Sequence, residues 1–362
     1  MTKILVSICC ITYNHEKFIN KCIDGFLLQK TKFNFEILIH DDASTDNTAN
    51  IIREYENRYP DIIKPIYQIE NQYSKGVSIS ATFNWPRAKG KYIAMCEGDD
   101  YWTDPLKLQK QVDFLEKKND YGLIHTDFNT FYQNSNFTLV DTHKIFRINL
   151  IGDCSLKYWN LLNKAPATIK TLTVCFRKCY LNEWQTMIES QRWLVGDFPL
   201  YFYISLISKI GYIPHSTAVY RTVSEGSASN VGKNDGKKLL LKKTYIDIRL
   251  YFISHFEEIN NKKYFKALKR DLNELIDYCL ITNNKNTLEN YYIYFAQYLP
   301  NRHIDRAIKI TSSKNSLKKI VILKIVQLKI LFQTYYVKLF NIRFIACTFK
   351  RILNKALIAL TF

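Results

Sequence analysis

The 362-residue sequence contains no run of about 20 apolar residues free of charge, so it predicts no transmembrane helix. Only 11 residues are glycine. Neither the Gly-x-Gly-x-x-Gly pattern of dinucleotide-binding folds nor a phosphate-binding P-loop is present. Internal repeats and low-complexity segments are absent as well. These absences argue against a helical membrane-spanning protein, the two glycine-dependent nucleotide-binding classes and a repeat architecture.

Disulfide and zinc patterns are also missing, although the chain has nine cysteines. Their number is odd and their spacing irregular, and several lie in apolar runs, so we expect reduced, buried thiols in a cytosolic protein. Cys175 and Cys179 do not make a convincing zinc half-site, because no second cysteine pair or histidine cluster accompanies them. The apolar N-terminal stretch is short and lacks a small-residue cleavage site, which predicts a first β-strand rather than a signal peptide.

Asp305 is the last acidic residue of the sequence. The segment after it contains twelve lysines and arginines, which contribute +12 to the formal net charge of +18. The first 305 residues therefore keep a net charge of only +6. Residues 315–360 have the pattern of one or two basic amphipathic helices. We expect them to lie on an anionic membrane, which would make the protein cytoplasmic and peripheral on the inner face of the plasma membrane. Packing on the protein body is the alternative.

The whole sequence is 47% hydrophobic and 14% aromatic, which is sufficient for a substantial core. Strand-like runs alternate with helical patterns through the first 130 residues, which predicts an α/β fold with a mostly parallel sheet between helices. Predicted helices include Val77–Ala88 and one opened by Thr103-Asp104-Pro105. Residues 140–230 are irregular in pattern, and residues 237–300 are helical.

Three carboxylates within four residues, in Glu97-Gly98-Asp99-Asp100, directly follow the strand-like run Tyr92–Cys96. Such carboxylates repel one another unless a cation lies between them, and hard oxygen ligands suit Mg²⁺ or Mn²⁺. A solvated acidic turn that caps the next helix is the alternative. A second acidic pair, Asp41-Asp42, follows the strand-like run Phe35–His40. Carboxylates at the ends of two parallel strands predict a metal and nucleotide site at one edge of the sheet.

Small polar residues, Thr12-Tyr13-Asn14, stand where the first strand meets the first helix. Helix N-termini at such junctions present free backbone N–H groups to phosphates or a base. A simple helix cap by Asn14 is the alternative.

Three blocks of sequence together resemble the family 2 glycosyltransferases of GT-A fold. They are Val6-Ser7-Ile8 with Thr12-Tyr13-Asn14, Ile37 through Asp46, and Gly90-Lys91-Tyr92-Ile93 with Glu97 through Trp102. The resemblance is strong over about residues 1–130 and weaker to about 230. It implies an inverting enzyme that depends on a nucleotide-diphospho-sugar and on Mn²⁺ or Mg²⁺. The resemblance gives a GT-A domain (1–230), and the helical and charge patterns beyond it predict a helical extension (231–310) and the basic tail (311–362).

The resemblance implies a role for each matching residue. Nucleotide-binding positions are Thr12, Tyr13, Asn14, Asp41, Asp42 and Glu97. Within this set, Asp42 is preferred for the base contact. Asp99 would hold the metal, and Asp100 and Trp102 would border the sugar and acceptor. Glu97 departs from the family pattern, which has Asp at that position.

The catalytic base of this family is an acidic residue some 80–100 positions beyond the metal motif, near a helix start. Asp197, in Gly196-Asp197-Phe198-Pro199, fits that description. Capping of the following helix is the alternative role, and one carboxylate can serve both. Arg221 is predicted to pair with phosphate near a flexible loop, although an ordinary surface loop is the alternative.

These inferences predict a glycosyltransferase that moves a hexosyl or N-acetylhexosaminyl group from a UDP-linked donor to a hydroxyl of a glycan or lipid-linked acceptor. Envelope polysaccharide synthesis is the implied setting, and no nucleic-acid partner is expected. A sugar nucleotidyltransferase is one rival, but it requires a glycine-rich basic loop after the first strand. A basic nucleic-acid- or membrane-binding protein without activity is the other, and the high apolar content of the tail argues against a solvated basic arm.

Overall fold

The computed structural model describes residues 3–132, 139–141, 169–188, 193, 195–222, 235–256, 262–282, 284, 287 and 290–291. The chain divides into two compact units, Met1–Asn234 and Asp235–Phe362. The predicted tail from residue 311 lies outside the described residues.

The first unit alternates strands and helices in the order that the hydrophobic pattern predicts. Its first half contains β1 (Ile4–Thr12), α1 (Ile19–Leu27), β2 (Asn34–Asp41), α2 (Thr48–Arg58), β3 (Ile63–Tyr67), α3 (Trp85–Arg87), β4 (Tyr92–Glu97), β5 (Tyr101–Trp102) and α4 (Lys107–Lys117). Its second half contains β6 (Tyr121–Tyr132), β7 (Leu139–Asp141), β8 (Cys175–Arg177), α5 (Leu181–Ile188), α6 (Asp197–Ile207) and β9 (Lys209–Thr222). A 3₁₀ turn, Thr171–Thr173, precedes β8.

In the part of the chain that the structure describes, nine strands form one sheet in the order β3-β2-β1-β4-β8-β6-β9-β5, with β7 paired to β6. The pairs β1–β2, β1–β4, β2–β3 and β6–β9 are parallel. The other pairs are antiparallel, because β8 runs against both β4 and β6, β5 against β9, and β7 against β6. Most of the paired residues therefore lie in parallel pairs, as predicted, and short antiparallel strands make the sheet mixed. The strands responsible are two or three residues long, too short to show a pattern in sequence.

The core of the first unit lies between the sheet and its helices. Helix α1 buries Ile19, Cys22, Ile23 and Phe26 on the face that packs against the sheet. Gly25 lets this helix approach β5 closely, since a Cβ there would lie 2.8 Å from the carbonyl oxygen of Trp102. The position of α1, and of the loop that precedes it, is thus fixed by backbone-to-backbone contact.

Three local predictions differ from the structure. The predicted helix Val77–Ala88 is a π-helical turn, Ser80–Asn84, followed by the single turn α3. The helix expected to open at Thr103-Asp104-Pro105 begins at Lys107, after the Asp104 carboxylate accepts the Leu106 amide at 2.9 Å. Strand β9, which is 14 residues long, lies in the region of irregular pattern, and it contains Tyr220 and Arg221.

The second unit contains α7 (Asp235–His255) and α8 (Lys262–Ile281), which pack together. The guanidinium of Arg249 is almost fully buried and contacts the Asp271 carboxylate at 2.6 Å. Among the described residues, no helix is both long enough and apolar enough to cross a membrane.

Candidate active site

The strand register brings the three sequence blocks to one edge of the sheet. On β1, Thr12 is paired with Asp41 of β2, and Ile11 is paired with Glu97 of β4. Strands β1, β2 and β4 are parallel, so the residues that follow them emerge on the same side. The predicted nucleotide and metal residues are therefore neighbours in space.

A reciprocal hydrogen-bond network joins the loop after β1 to the loop after β2. The Asn14 amide donates to Ser44 Oγ at 2.9 Å, and the Asn14 side-chain oxygen accepts from the Thr45 amide at 2.8 Å. The Asp46 carboxylate accepts from the Glu16 amide at 3.0 Å and from the Thr48 amide at 2.9 Å. Asn14 has a positive φ of 55°, which asparagine tolerates better than most residues. Its side chain therefore joins the two loops rather than only capping a helix.

The acidic pair Asp41-Asp42 is buried, and each carboxylate has its own partners. Asp41 accepts from the Ser44 hydroxyl at 2.5 Å and from the Ser44 amide at 3.3 Å. Burial raises the pKa of Asp41, against the lowering effect of these bonds. Both oxygens of Asp42 accept backbone amides, from Gln72 at 2.8 Å and Tyr73 at 3.0 Å. Asp42 thus holds the loop that contains Gln72 and Tyr73, and its contact with a base stays a prediction.

Glu97, Asp99 and Asp100 form one carboxylate cluster, with a ligand atom from each within 4.8 Å of the others. Asp100 is 1% exposed, and its Oδ2 is a buried atom with no hydrogen-bond partner among the described residues. Burial, together with the Asp99 and Glu97 charges, raises the pKa of Asp100 well above its usual range. Burial and the charges of Asp99 and Asp197 raise the pKa of Glu97 to about 8. Hard oxygen donors that repel one another, one of them unpartnered, fit a divalent cation.

Arg221 closes the cluster from the β9 side. Its amide donates to Asp100 Oδ1 at 2.7 Å, and its guanidinium donates to the Asp99 carbonyl at 2.6 Å. The guanidinium also stacks on Tyr101, 4.5 Å from the ring centroid. The prediction that Arg221 belongs to the site agrees with this placement, and its pairing with phosphate stays a prediction.

Asp197 is the first residue of α6, and it faces Glu97 closely enough for its charge to raise the pKa of that carboxyl group. Its Oδ1 accepts the Phe198 amide at 2.7 Å. Burial raises the pKa of Asp197 itself, while the Lys170 charge lowers it. The chain thus brings its predicted base to the metal motif although 98 positions separate Asp197 from Asp99.

Trp102 is placed differently from the expectation that it borders the sugar and acceptor. Its ring is 2% exposed and contacts Phe26 at a centroid distance of 4.8 Å. Its Nε1 donates to the Leu172 carbonyl at 2.9 Å, and the buried Lys107 ammonium lies 4.1 Å from its ring centroid. An indole is large and apolar, so packing beneath the site is favoured over exposure at its rim.

Three residues that the sequence did not single out also lie at the site. His15 Nδ1 is 3.1 Å from Thr12 Oγ1, and the ring faces the charges of Asp99 and Asp46. Burial lowers its pKa. Lys170 faces Glu97 and Asp197. Only the adjacency of His15 to the Thr12-Tyr13-Asn14 block could have marked it in advance, and Lys170 follows a stretch without a readable pattern.

The third such residue is Tyr201 on α6, which is fully buried. Burial and the Asp197 charge raise the pKa of its hydroxyl well above the usual range. The Thr171 side chain lies near this hydroxyl, yet no described residue makes a hydrogen bond of good geometry with it. Tyr201 therefore adds an unsatisfied polar group to the interior wall of the site.

Comparison with known proteins agrees with this geometry. Residues 7–181, a little under half of the chain, match the family described as glycosyl transferase family 2. An uncharacterised protein of Mycobacterium tuberculosis is 48% identical over 114 residues, 31% of this chain and 32% of that protein. The Escherichia coli protein WfaP, a UDP-Glc:alpha-D-GlcNAc-diphosphoundecaprenol beta-1,3-glucosyltransferase, is 33% identical over 135 residues, 37% of this chain and 49% of WfaP.

These alignments span between a third and a half of the curated relatives' own lengths. A crystal structure of Staphylococcus aureus TarS residues 1–349 in complex with UDP-GlcNAc superposes with a TM-score of 0.56 at 15% identity, covering 91% of this chain and 88% of that crystallised chain. At that identity the superposition supports the fold alone, and the fold is that of the GT-A enzymes expected from the three blocks. Residues 7–181 therefore match glycosyltransferase family 2, and the fold around them is that of the GT-A enzymes.

Proposed function

We propose that this protein is an inverting glycosyltransferase that moves a sugar from a nucleotide diphosphate, most simply a UDP-sugar, to a hydroxyl of a glycan or lipid-linked acceptor. The proposal rests on the proximity of carboxylates that come from distant parts of the chain. Asp197, at the start of α6, lies close enough to the cluster of Glu97, Asp99 and Asp100 for its charge to raise the pKa of Glu97.

The carboxylate cluster suits the departure of the diphosphate, and Asp197 suits the deprotonation of the acceptor. Glu97, Asp99 and Asp100 would hold a divalent cation, either Mn²⁺ or Mg²⁺, through hard oxygen atoms. When bound, such a cation offsets the negative charge that develops on a departing diphosphate. The Arg221 guanidinium, which already donates to the Asp99 carbonyl, would add positive charge on the same side.

Asp197 would act as the general base. Its carboxylate removes the proton from the acceptor hydroxyl while that oxygen forms a bond to the anomeric carbon. The bond from the anomeric carbon to the diphosphate oxygen breaks at the opposite side, and the electron pair leaves with the diphosphate. Attack opposite the leaving group inverts the anomeric configuration. A base whose pKa is raised by burial takes up a proton more readily near neutral pH.

The donor and acceptor classes are supported by relatives. WfaP is named for a UDP-linked donor and a diphosphoundecaprenol-linked acceptor. TarS was crystallised with UDP-GlcNAc. We therefore place this chain's donor among UDP-sugars and its acceptor among lipid-linked glycans of envelope polysaccharide synthesis. The buried Asp41 and Asp42, together with Thr12, Tyr13 and Asn14, would line the nucleotide pocket.

The test is donor hydrolysis across a panel of nucleotide sugars with Mn²⁺ or Mg²⁺. We expect Asp99→Ala to reduce the rate by about 10³-fold or more, because the metal's charge stabilisation is lost. Asp61→Ala is the matched control, since Asp61 is exposed on the loop before β3. Full turnover in excess EDTA, or equal rates for the two variants, would refute the metal-dependent mechanism.

A further inference from the structure

Helix α1 lies against the segment that carries the carboxylate cluster. The Cys22 thiol donates to the Glu97 carbonyl oxygen at 3.5 Å. One turn further on, Gly25 allows contact with the Trp102 backbone, where a Cβ would lie 2.8 Å from the carbonyl oxygen. Lys21, which precedes Cys22, is exposed. Its side chain therefore extends from the first turn of a helix whose position beside the cluster is fixed by close contacts.

The ring of Tyr101 brings two cations together. The ammonium nitrogen of Lys21 lies 4.1 Å from the centroid of this ring, and the central carbon of the Arg221 guanidinium lies 4.5 Å from the same centroid. Both distances are typical of cation–π contacts. The two cations come from distant parts of the chain, yet they cannot be further apart than the sum of these two distances.

Tyr101 and Arg221 are themselves held in place. Tyr101 is 7% exposed, and it pairs with Val219 of β9. The Arg221 guanidinium donates to the Asp99 carbonyl oxygen at 2.6 Å and lies 5.0 Å from the centroid of the Phe18 ring. Backbone pairing, a hydrogen bond and aromatic contacts thus give this pair of cations a defined position beside the carboxylate cluster.

Neither cation has a carboxylate within ion-pair distance among the described residues. The Lys21 ammonium also makes no hydrogen bond to a described residue, so its three N–H donors remain for a ligand. Two like charges that share one ring repel each other. The neighbouring carboxylates would be engaged by the divalent cation proposed above, and they would not offset these two charges. The pair is therefore suited to an anion.

We propose that Lys21 and Arg221 form one anion-binding site on the Tyr101 ring, and that this site takes a diphosphate group of a substrate. This rests on the proposed function, in which the donor is a nucleotide-diphospho-sugar and the acceptor is lipid-linked, through a diphosphate in the acceptor for which WfaP is named.

The two side chains suit different oxygen atoms of one diphosphate. A guanidinium presents a planar fork of donors, whereas an ammonium is a compact charge on a flexible stem. Charge-assisted hydrogen bonds from such groups to phosphate are among the stronger hydrogen bonds in proteins. Lys21 is a binding residue in this scheme, and it exchanges no proton with the substrate.

The experiment compares Lys21→Met and Lys21→Arg with the full-length wild-type protein. Methionine keeps most of the apolar stem but removes the charge, and arginine restores the charge. Lys30→Met, at an exposed position beyond the other end of α1, is the control for the same chemical change. Calorimetric titration with UDP and Mn²⁺ measures binding of the donor's diphosphate. Titration with farnesyl diphosphate in saturating UDP measures binding of a lipid diphosphate on the acceptor side.

We expect Lys21→Met to raise the Kd of at least one of these two ligands by about tenfold, because a hydrogen bond from a charged group is lost. Lys21→Arg and Lys30→Met should bind both ligands as the wild type does. Weaker binding of UDP identifies the donor's diphosphate as the occupant, and weaker binding of farnesyl diphosphate identifies the acceptor's. Uridine, which lacks the diphosphate, should bind all four proteins equally.

Equal Kd values for the wild type and Lys21→Met with both ligands overturn the proposal. No measurable binding of either ligand by the wild type, or a loss of uridine affinity as large as that of UDP, overturns it as well. Failure of the proposed function would instead appear as absent turnover of every nucleotide sugar by the wild type, which is a separate measurement from these Kd values.

Discussion

Asp197 is the residue at which the start of a helix coincides with the proposed catalytic base. Its Oδ1 accepts the Phe198 amide in the first turn of α6, where a negative charge is favoured by the helix dipole. Burial nevertheless raises the pKa of the group. The predicted capping role is wrong in detail, because the N-cap is Gly196 and Asp197 is the first helical residue, whereas base catalysis stays a prediction.

Replacing Asp197 with asparagine separates the two tasks. Asparagine keeps the oxygen that accepts the Phe198 amide but cannot remove a proton. We expect donor binding to be unchanged and transfer to fall by about 10²–10⁴-fold. Calorimetric titration with UDP and transfer to an acceptor measure the two quantities. Asp113→Asn, on the exposed face of α4, is the control. If Asp197→Asn transfers at the control rate, the base is another residue.

His125 is a buried histidine on β6, with 4% of its surface exposed. Burial lowers its pKa to about 3, so the folded protein holds it neutral. Between about pH 3 and pH 6.5 the unfolded chain binds a proton that the folded chain does not. Stability contributed by the neutral ring is therefore complete above pH 6.5 and is lost as the pH falls below that value.

Replacing His125 with phenylalanine should remove this dependence while keeping the ring contact with Tyr212, whose centroid is 5.0 Å away. From pH 7 to pH 5 we expect the wild type to lose about 2 kcal/mol more unfolding free energy than His125→Phe. Urea unfolding at the two pH values gives this difference. The buried His40, whose pKa burial lowers to about 4, contributes equally in both proteins. If the unfolding free energies of the wild type and of His125→Phe changed equally with pH, the expectation would be contradicted.

At the scale of elements, the contact between α1 and β5 connects the nucleotide loop with the carboxylate cluster. A Cβ at Gly25 would lie 2.8 Å from the Trp102 oxygen and 2.9 Å from its nitrogen, both of them backbone atoms that cannot rotate away. Helix α1 follows the Thr12-Tyr13-Asn14 loop, and β5 follows Asp100. A shift of the helix would therefore move one side of the site relative to the other.

Gly25→Ala is expected to destabilise the first unit, although alanine favours a helix by up to about 1 kcal/mol. Overpacking against fixed backbone costs about 1–3 kcal/mol and should exceed that gain. Thermal unfolding should show a lower Tm for Gly25→Ala and an unchanged or slightly higher Tm for Asn20→Ala, an exposed position on the same helix. A Gly25→Ala protein as stable as the wild type would mean that α1 is free to move outward.

The sequence predicted correctly those elements whose apolar pattern is continuous over many residues. Apolar runs that end in polar residues predicted strands β1, β2 and β4. The carboxylates at the ends of β2 and β4 could therefore be assigned to one edge of the sheet from the sequence alone. Strand β9 was missed because its exposed and buried positions alternate irregularly around Pro214. Lys170 was missed because its contact with the Tyr220 ring joins the segment before β8 to β9, and no neighbouring residue in the sequence indicates that contact.

At the scale of the whole molecule, charge is distributed unevenly along the chain. The first 305 residues carry a net charge of +6, and twelve basic residues without an acid follow. The segment from 311 lies outside the described residues, so its attachment to an anionic membrane remains a prediction. A basic tail with a broad apolar face would bring the enzyme to the surface where lipid-linked acceptors reside.

Co-sedimentation with phosphatidylglycerol vesicles tests this attachment. The full chain should bind, and the chain truncated after Ser313 should not, because each basic residue near an anionic surface contributes about 1 kcal/mol. Added salt should weaken the binding without abolishing it, since apolar burial is not screened. Equal binding by both chains, or by neither, would indicate a tail that packs on the protein instead.

Asp42 accepts hydrogen bonds from two successive amides, and this arrangement offers a way to detect ligand binding in solution. Both carboxylate oxygens are occupied by the Gln72 and Tyr73 N–H groups, so these two protons share one anchor and are released together when it moves. Their exchange with deuterium should therefore slow or quicken in parallel. If a nucleotide base takes an oxygen of Asp42, the paired amides would signal its arrival as a joint loss of protection, with no label on the ligand.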